Sequence, residues 1–224
     1  MTLHALAMNP DVQQTLREEI NAYPGDPTFD ELWATDKFPY LDAVTREGYV
    51  ASVPSIPQLA LNSTCSFRLF PPSARNEKVA ERDDILPLSK PIVRTDGKVI
   101  HEIPIKAGQV IHIPTVAINR LPSVWGDGDA FRPERWIEKK DIPGPDFLPG
   151  TWGHMMTFLM GPRSCLGYRL AVFEMKVLLI SYVRQFHIEP AGEIETRMSA
   201  TIQPRVVGRQ NEGACMPLRL RNLH

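Results

Sequence analysis

Proline is the feature that most constrains how this chain can fold. There are 21 prolines among 224 residues, nearly twice the usual share of roughly 5%. Proline fixes its own backbone torsion and lacks an amide donor, so it interrupts helices and central strands. Many turns and short extended segments are therefore expected. Because 43% of the residues are hydrophobic, the chain can still bury a core, which excludes a wholly disordered protein.

Charge and cysteine content exclude several classes of protein. The 25 basic and 26 acidic side chains leave a net charge of −1, so there is no electrostatic basis for binding nucleic acid. The three cysteines, at positions 65, 165 and 215, lack metal-ligand spacing and are too few for a disulfide framework. The most apolar run, residues 177–183, is too short to span a bilayer, and the N-terminus does not resemble a signal peptide. A soluble, intracellular product is expected.

Apolar spacing predicts three helical regions. Residues 3–21 have helical periodicity with a break and restart at residues 9–11, and another helix begins at Tyr40. Between them, residues 21–38 are polar, contain two prolines and are predicted to form a connecting loop. A long helix is predicted from Gly167 to about residue 185. Its apolar stripe is predicted to consist of Leu170, Phe173, Val177, Leu178 and Tyr182.

Short strands are predicted in the middle and at the end of the chain. Asp96-Gly97 separates two extended runs, a strong signal for a β-hairpin. Residues 110–113 form a further predicted strand, and residues 119–153 are rich in loops. Short strands are also expected after residue 187.

The residues around Cys165 carry the clearest chemical signal. A cysteine lies between two glycines, immediately before a helix, in the segment Phe158-Leu-Met-Gly161-Pro-Arg163-Ser-Cys165-Leu-Gly167. The amides and dipole of a helix N-terminus stabilise a thiolate. The glycines permit a tight turn and close approach of a flat group, and Arg163 can pair with an acidic group on that ligand. For a cysteine alone, a buried structural thiol would be the simpler interpretation.

The pattern F-x-x-G-x-R-x-C-x-G resembles the haem-thiolate signature of the cytochrome P-450 monooxygenases at all five fixed positions. The resemblance implies that Cys165 is the axial metal ligand of haem iron, whose electron donation favours O–O cleavage. It also implies that Arg163 pairs with a haem propionate and that Phe158 packs near the proximal haem face. Gly161 and Gly167 complete this part of the cofactor-binding set.

Other segments are similar to the same family in the same order. Residues 131–136, Phe-Arg-Pro-Glu-Arg-Trp, resemble its P-E-R-F/W element. By this likeness Glu47, Arg68 and Arg135 form a buried ion-pair network, although each alone would be an ordinary surface charge. Lys78 stands where the family often has an arginine that approaches a propionate. It keeps that charge but lacks the bidentate fork of arginine.

Glu47 and Arg68 do not have the spacing of the family's E-x-x-R pair, which lies one helical turn apart. They are 21 positions apart, an excess of 18 residues. The excess coincides with residues 48–66, which contain no charged side chain. The 18 excess residues correspond to 54 nucleotides, the length of a short fungal intron. The codons at the two ends of the segment can contain a donor-like GTATGT string and an acceptor-like CAG string. We interpret residues 49–66 as a foreign insert from an unspliced intron. An apolar surface loop is the alternative.

The resemblance implies a mainly α fold with a small β subdomain. Residues 1–224 would form a partial haem domain, the C-terminal, proximal part of the cytochrome P-450 fold. No segment matches the family's substrate pocket or its oxygen-activating helix, so this fold is expected to be incomplete, and no catalytic side chain is assigned.

The implied function is haem-thiolate monooxygenation, in which one oxygen atom from dioxygen enters a small organic substrate. The implied cofactor is haem, and the implied electron donor is a reductase of the NADPH-cytochrome type. Fungal members are anchored at the endoplasmic reticulum, so that location is expected of the parent enzyme. This chain itself is expected to be inactive. The alternatives are a truncated, non-catalytic fragment and a haem-binding protein without turnover.

Overall fold

A computed structural model describes residues 1–50, 65–144, 150–198 and 201–223. The chain divides into two compact units. The larger unit comprises residues 1–74 and 115–224, and the smaller comprises residues 75–114. Most of the predicted insert, residues 51–64, lies outside the described residues.

Helices and small sheets share the chain. The described residues contain eight α-helices, none of which is long and apolar enough to cross a membrane. The helices are α1 (Thr2–Met8), α2 (Pro10–Ala22), α3 (Phe29–Trp33), α4 (Pro39–Glu47), α5 (Thr115–Arg120), α6 (Pro122–Trp125), α7 (Glu134–Glu138) and α8 (Tyr168–Gln185).

The strands of the described residues pair two by two in antiparallel sheets. The strands are β1 (Tyr49–Val50), β2 (Cys65–Ser66), β3 (Asn76–Val79), β4 (Asp84–Val93), β5 (Val99–Ile105), β6 (Val110–Ile113), β7 (Phe186–Pro190), β8 (Ile194–Met198), β9 (Ile202–Val206) and β10 (Leu218–Asn222). The pairs are β1 with β2, β3 with β6, β4 with β5, β7 with β10, and β8 with β9.

Proline sets the boundary between the first two helices. Pro10 lies in the first turn of α2, where its missing amide costs no hydrogen bond. Asp11 follows in the same turn, where the helix dipole favours a negative charge. The predicted helical region over residues 3–21, with its break at residues 9–11, is confirmed.

The loop predicted over residues 21–38 is wrong at α3. A capping box begins this short helix: the Glu31 amide donates to the Thr28 hydroxyl, and the Thr28 amide donates to the Glu31 carboxylate at 2.9 Å. Leu32 is buried, and the Trp33 ring centroid lies 6.0 Å from that of Tyr168. A helix of five residues is too short to give a periodic signal in the sequence. Its capping box and its packing stabilise it instead.

The hairpin predicted around Asp96-Gly97 is confirmed in the smaller unit. β4 pairs with β5 from Asp84 opposite Ile105 to Val93 opposite Val99. Gly97 makes the turn at φ +81°, a torsion that glycine adopts without steric cost. The strand predicted over residues 110–113 is β6, which pairs with β3.

The predicted helix from Gly167 is confirmed as α8, but its predicted apolar stripe is only partly covered. Phe173 and Tyr182 pack against the core, whereas Leu170, Val177 and Leu178 are exposed. Leu170 is 60% exposed, and Leu178 is 40% exposed. The buried residues of α8 are Val172, Met175, Lys176, Leu179, Ile180 and Val183. Both sets of residues recur at helical spacing, so periodicity alone could not choose between them. Contacts with α2, α3, α4 and β7 bury the second set.

A buried lysine joins α8 to two other helices. Lys176 Nζ donates to the Asp42 carboxylate on α4 and to the Leu32 carbonyl on α3, each at 2.7 Å. Burial lowers the pKa of Lys176, and the adjacent Asp42 carboxylate opposes that shift. Since an uncompensated charge is costly in the core, this pair fixes α8 against α4.

Lys176→Met should lower the free energy of unfolding by about 3–5 kcal/mol, because it leaves the Asp42 carboxylate buried without this cation. The double variant Lys176→Met, Asp42→Asn should recover part of the loss. Urea unfolding followed by circular dichroism measures both variants. An unchanged midpoint in the single variant would show that the pair does not stabilise the fold.

Candidate functional site

Cys165 lies at the end of a loop that folds back on itself before α8. The loop contains two short 3-10 turns, Met156–Phe158 and Gly161–Arg163. The Cys165 amide donates to the Phe158 carbonyl at 2.8 Å, which closes the loop. Gly161 has φ +69°, a region that favours glycine. The motif therefore forms one compact turn that ends shortly before α8, with Leu166 and Gly167 between the cysteine and the first residue of the helix.

The outer side of this loop is open. Cys165 and Arg163 are exposed, and Leu166 between the cysteine and α8 is fully exposed. A Cβ added at Gly161 or Gly167 would meet no atom within 4 Å. The loop therefore exposes a thiol, a guanidinium and the Leu166 hydrocarbon, and α8 exposes further apolar side chains just after it. Such a surface suits a flat, largely apolar ligand with acidic substituents.

The inner side of the loop is packed with aromatic rings. Phe158 is buried, and its ring centroid lies 4.8 Å from that of Phe67 and 5.9 Å from that of Tyr168. Trp152 completes the group, with its centroid 5.2 Å from that of Phe67. Phe158 therefore anchors the loop in the core, while Cys165 remains accessible.

The structure brings Glu47, Arg68 and Arg135 together with no exposed side-chain surface. Arg68 binds the Glu47 carboxylate through Nε at 2.8 Å and through a terminal nitrogen, and Arg135 Nε donates at 3.1 Å. The Trp136 indole and the Arg132 amide also donate to this carboxylate, at 2.9 and 3.1 Å. The alternative that each of these residues is an ordinary surface charge is wrong, because their side chains are buried. We call this group the Glu47 cluster.

Both arginines of the Glu47 cluster use their remaining donors on backbone carbonyls and a second carboxylate. Arg68 donates to the carbonyls of Asn119, Gly128 and Ala130 at 2.6–3.1 Å. Arg135 donates to the Asp127 carboxylate at 2.8 Å. The Asp127 carboxylate balances the positive charge of Arg135, and against the opposing effect of desolvation the hydrogen bond from Arg135 helps to lower the pKa of Asp127. The cluster thus compensates buried charge and also fixes the irregular segment between α6 and α7.

Glu47 and Arg68 meet despite their separation in the sequence. Helix α4 ends at Glu47, and the Phe67 amide donates to the Gly48 carbonyl at 3.2 Å. Tyr49 lies opposite Ser66, and Val50 lies opposite Cys65, in antiparallel backbone pairing. Residues 48–50 and 65–67 therefore lie side by side, which brings Arg68 next to the end of α4. The 21-position spacing means that Glu47 and Arg68 do not lie on one turn of a helix, but their ion pair still forms.

Lys78 lies in the smaller unit. It is on β3, paired with Ile111 of β6, and its side chain is exposed. In the described part of the chain, no three His, Cys, Asp or Glu side chains gather as a possible metal site.

Sequence reasoning missed Asn119. Its side chain is buried and bonds to both Phe67 and the segment that begins the Cys165 loop. A lone asparagine at the end of α5 gives no periodic or motif signal, so its role emerges only from its contacts.

Comparisons with known proteins point in one direction. The family model described as Cytochrome P-450 matches residues 84–213. Cytochrome P-450 monooxygenase 205 of Postia placenta is 37% identical over 227 residues, covering 99% of this chain and 38% of the relative. Monooxygenase 128 of the same fungus is 38% identical, covering 96% of this chain and 36% of the relative. Monooxygenase claW of Ampulloclitocybe clavipes is 34% identical, covering 97% of this chain and 37% of the relative. The chain therefore spans little more than a third of these relatives.

Glu47→Gln should lower the free energy of unfolding by about 3–5 kcal/mol, because it keeps the volume but leaves two guanidiniums buried without their shared carboxylate. Glu138→Gln, the same change at an exposed position on α7, is the control and should have little effect. Denaturant unfolding of both variants measures the difference. Equal stability of the two would contradict a structural role for the cluster.

Proposed function

The chain belongs to the cytochrome P-450 family, and on that basis we propose that it forms the haem-binding part of a haem-thiolate monooxygenase. The whole protein would insert one oxygen atom of dioxygen into a small organic substrate. The observation that carries this proposal is the accessible Cys165 thiol on an open apolar surface beside Arg163. Family likeness also supports an endoplasmic-reticulum location and a reductase of the NADPH-cytochrome type as electron donor.

The residues present suit a haem group. The Cys165 thiolate would hold the iron, and the Arg163 guanidinium would pair with a propionate. Free space over Gly161 and Gly167 leaves room for a flat ring close to the backbone. Exposed leucines on the loop and on α8 would contact the hydrocarbon of the macrocycle.

When bound, haem supplies the activation of dioxygen. The residues of this chain would hold and tune the group. The Cys165 thiolate would donate electron density from one side, while buried Phe158 keeps water from the back of the loop. Lys78 would offer a second positive charge to the propionates. Its single ammonium is a weaker match than an arginine fork.

Cys165→Ala should abolish the absorption band typical of thiolate ligation in the reduced, CO-bound protein, because it removes the thiol proposed to hold the iron. Cys215→Ala, which also removes an exposed thiol, and Cys65→Ala should leave the band unchanged. Loss of the band in either control would overturn the ligand assignment. Product formation with a reductase would then distinguish a monooxygenase from a haem-binding protein without turnover.

We further propose that residues 49–66 are an insert in the haem domain, translated from an intron that is removed from the mature message. Two observations support this: the backbone pairing at both ends of the segment, and the bond between the Phe67 amide and the Gly48 carbonyl. Joining Gly48 to Phe67 would place Arg68 three positions after Glu47, which is a helical neighbour spacing. Sequencing the transcript tests the origin, since a message that keeps these codons overturns it.

Deletion of residues 49–66 should raise the free energy of unfolding by up to about 2.5 kcal/mol, the closure entropy of a loop of this length. Deletion of residues 49–64 is the matched control. It shortens the chain almost equally but places Arg68 five positions after Glu47, away from helical neighbour spacing. Thermal and denaturant unfolding compare the two deletions with the full chain. A less stable protein after the longer deletion would show that the segment belongs to the fold.

A further inference from the structure

We propose that Asn119 is a positioning residue that holds the Cys165 loop in register with the Glu47 cluster. This inference rests on the haem-thiolate function proposed above. Asn119 does not touch the thiol and belongs to none of the motifs that identify the family in this sequence. Its place at the end of α5 puts it between the two groups of residues that must be aligned.

The Asn119 side chain is fully buried, and each of its polar atoms has a partner. Its Nδ2 donates to the Phe67 carbonyl at 3.1 Å and to the Thr157 hydroxyl at 2.8 Å. Its Oδ1 accepts from the Met156 amide at 3.0 Å. The Thr157 hydroxyl in turn donates to the Phe67 carbonyl. The side-chain amide of Asn119 therefore forms hydrogen bonds with Met156 and Thr157 of the loop and with Phe67.

The backbone of Asn119 continues this connection to the buried charges. Its carbonyl accepts from a terminal nitrogen of Arg68 at 3.1 Å. On the loop side, Met156 begins the 3-10 turn that ends at Phe158, and the Phe158 carbonyl accepts from the Cys165 amide. Hydrogen bonds and short backbone segments thus connect the Glu47 cluster to Cys165 without a break.

Burial explains why this arrangement positions the loop rather than merely contacting it. Without Asn119, the Met156 amide and the Phe67 carbonyl would each lose a partner in a place with little access to water, which costs free energy. The Phe67 carbonyl would keep its bond from the Thr157 hydroxyl, but the loop would have to shift to satisfy the Met156 amide. Since Cys165 is tied to Phe158, such a shift would move the thiol. Residues that orient a metal ligand in this indirect way commonly alter affinity by about 10–100-fold when changed.

Gln13 offers a matched control for general loss of stability. It too is a fully buried amide, with Nε2 donating to the Leu6 and Ile188 carbonyls at 3.1 and 3.0 Å and Oε1 accepting from the Ile188 amide at 2.9 Å. Its partners lie on α1 and β7, not on the Cys165 loop. Gln13→Ala should therefore destabilise the fold without disturbing the loop.

The experiment compares Asn119→Ala and the milder Thr157→Val with Gln13→Ala and Thr157→Ser in the full chain. Hydrogen exchange of the amides of residues 156–165 is measured without added haem. The rate of haem transfer to apomyoglobin is measured after loading. Asn119→Ala and Thr157→Val should speed exchange in this loop, and Asn119→Ala should release haem about 10-fold faster. Thr157→Ser, which keeps the hydroxyl, should leave exchange and haem release as they are in the unaltered chain.

The two proposals fail in different ways. If the unaltered chain shows no thiolate-type band, the proposed function is overturned, while exchange in residues 156–165 still decides whether Asn119 holds the loop. If the band is present but Asn119→Ala behaves like Gln13→Ala in both measurements, the positioning role is overturned. Faster exchange and faster haem release confined to the loop variants support it.

Discussion

The Glu47 carboxylate is the interaction on which the larger unit depends. It accepts hydrogen bonds from two arginines, an indole and a backbone amide, and none of its side-chain surface is exposed. These donors come from segments far apart in the sequence. Because a buried carboxylate is tolerated only when it is paired and fully hydrogen-bonded, the end of α4, the segment at Arg68 and α7 must assemble together. Their assembly fixes the framework on which the Cys165 loop rests.

From this framework the loop is held on one side only. Asn119 and Phe67 connect its inner side to the Glu47 cluster, and Lys176 fixes α8 behind it. The outer side, with the thiol and the exposed leucines of α8, has no such constraint in the described residues. A rigid inner side and an accessible apolar outer side are what a thiolate needs in order to ligate a large planar group in one orientation.

Local patterns in the sequence predicted elements better than they predicted burial. They located α8, the hairpin at Gly97 and the break at Pro10, because proline, glycine and apolar spacing act on the backbone nearby. They included the exposed Leu170, Val177 and Leu178 in the predicted stripe of α8, because apolar residues recur on more than one of its faces and only neighbouring elements decide which face is covered. They missed α3, whose five residues carry too little periodicity.

For the site, the sequence by itself determined the chemistry: a thiol before a helix, an arginine two residues earlier, and the acidic and basic residues of the Glu47 cluster. These follow from residue types and order, which a motif records. The family likeness predicted that Glu47 and Arg68 pair, but only the tertiary structure decided how they meet across 21 positions and that Asn119 links them to the loop. The physical reason is that hydrogen bonds between distant segments depend on distance in space, which no spacing along the chain specifies.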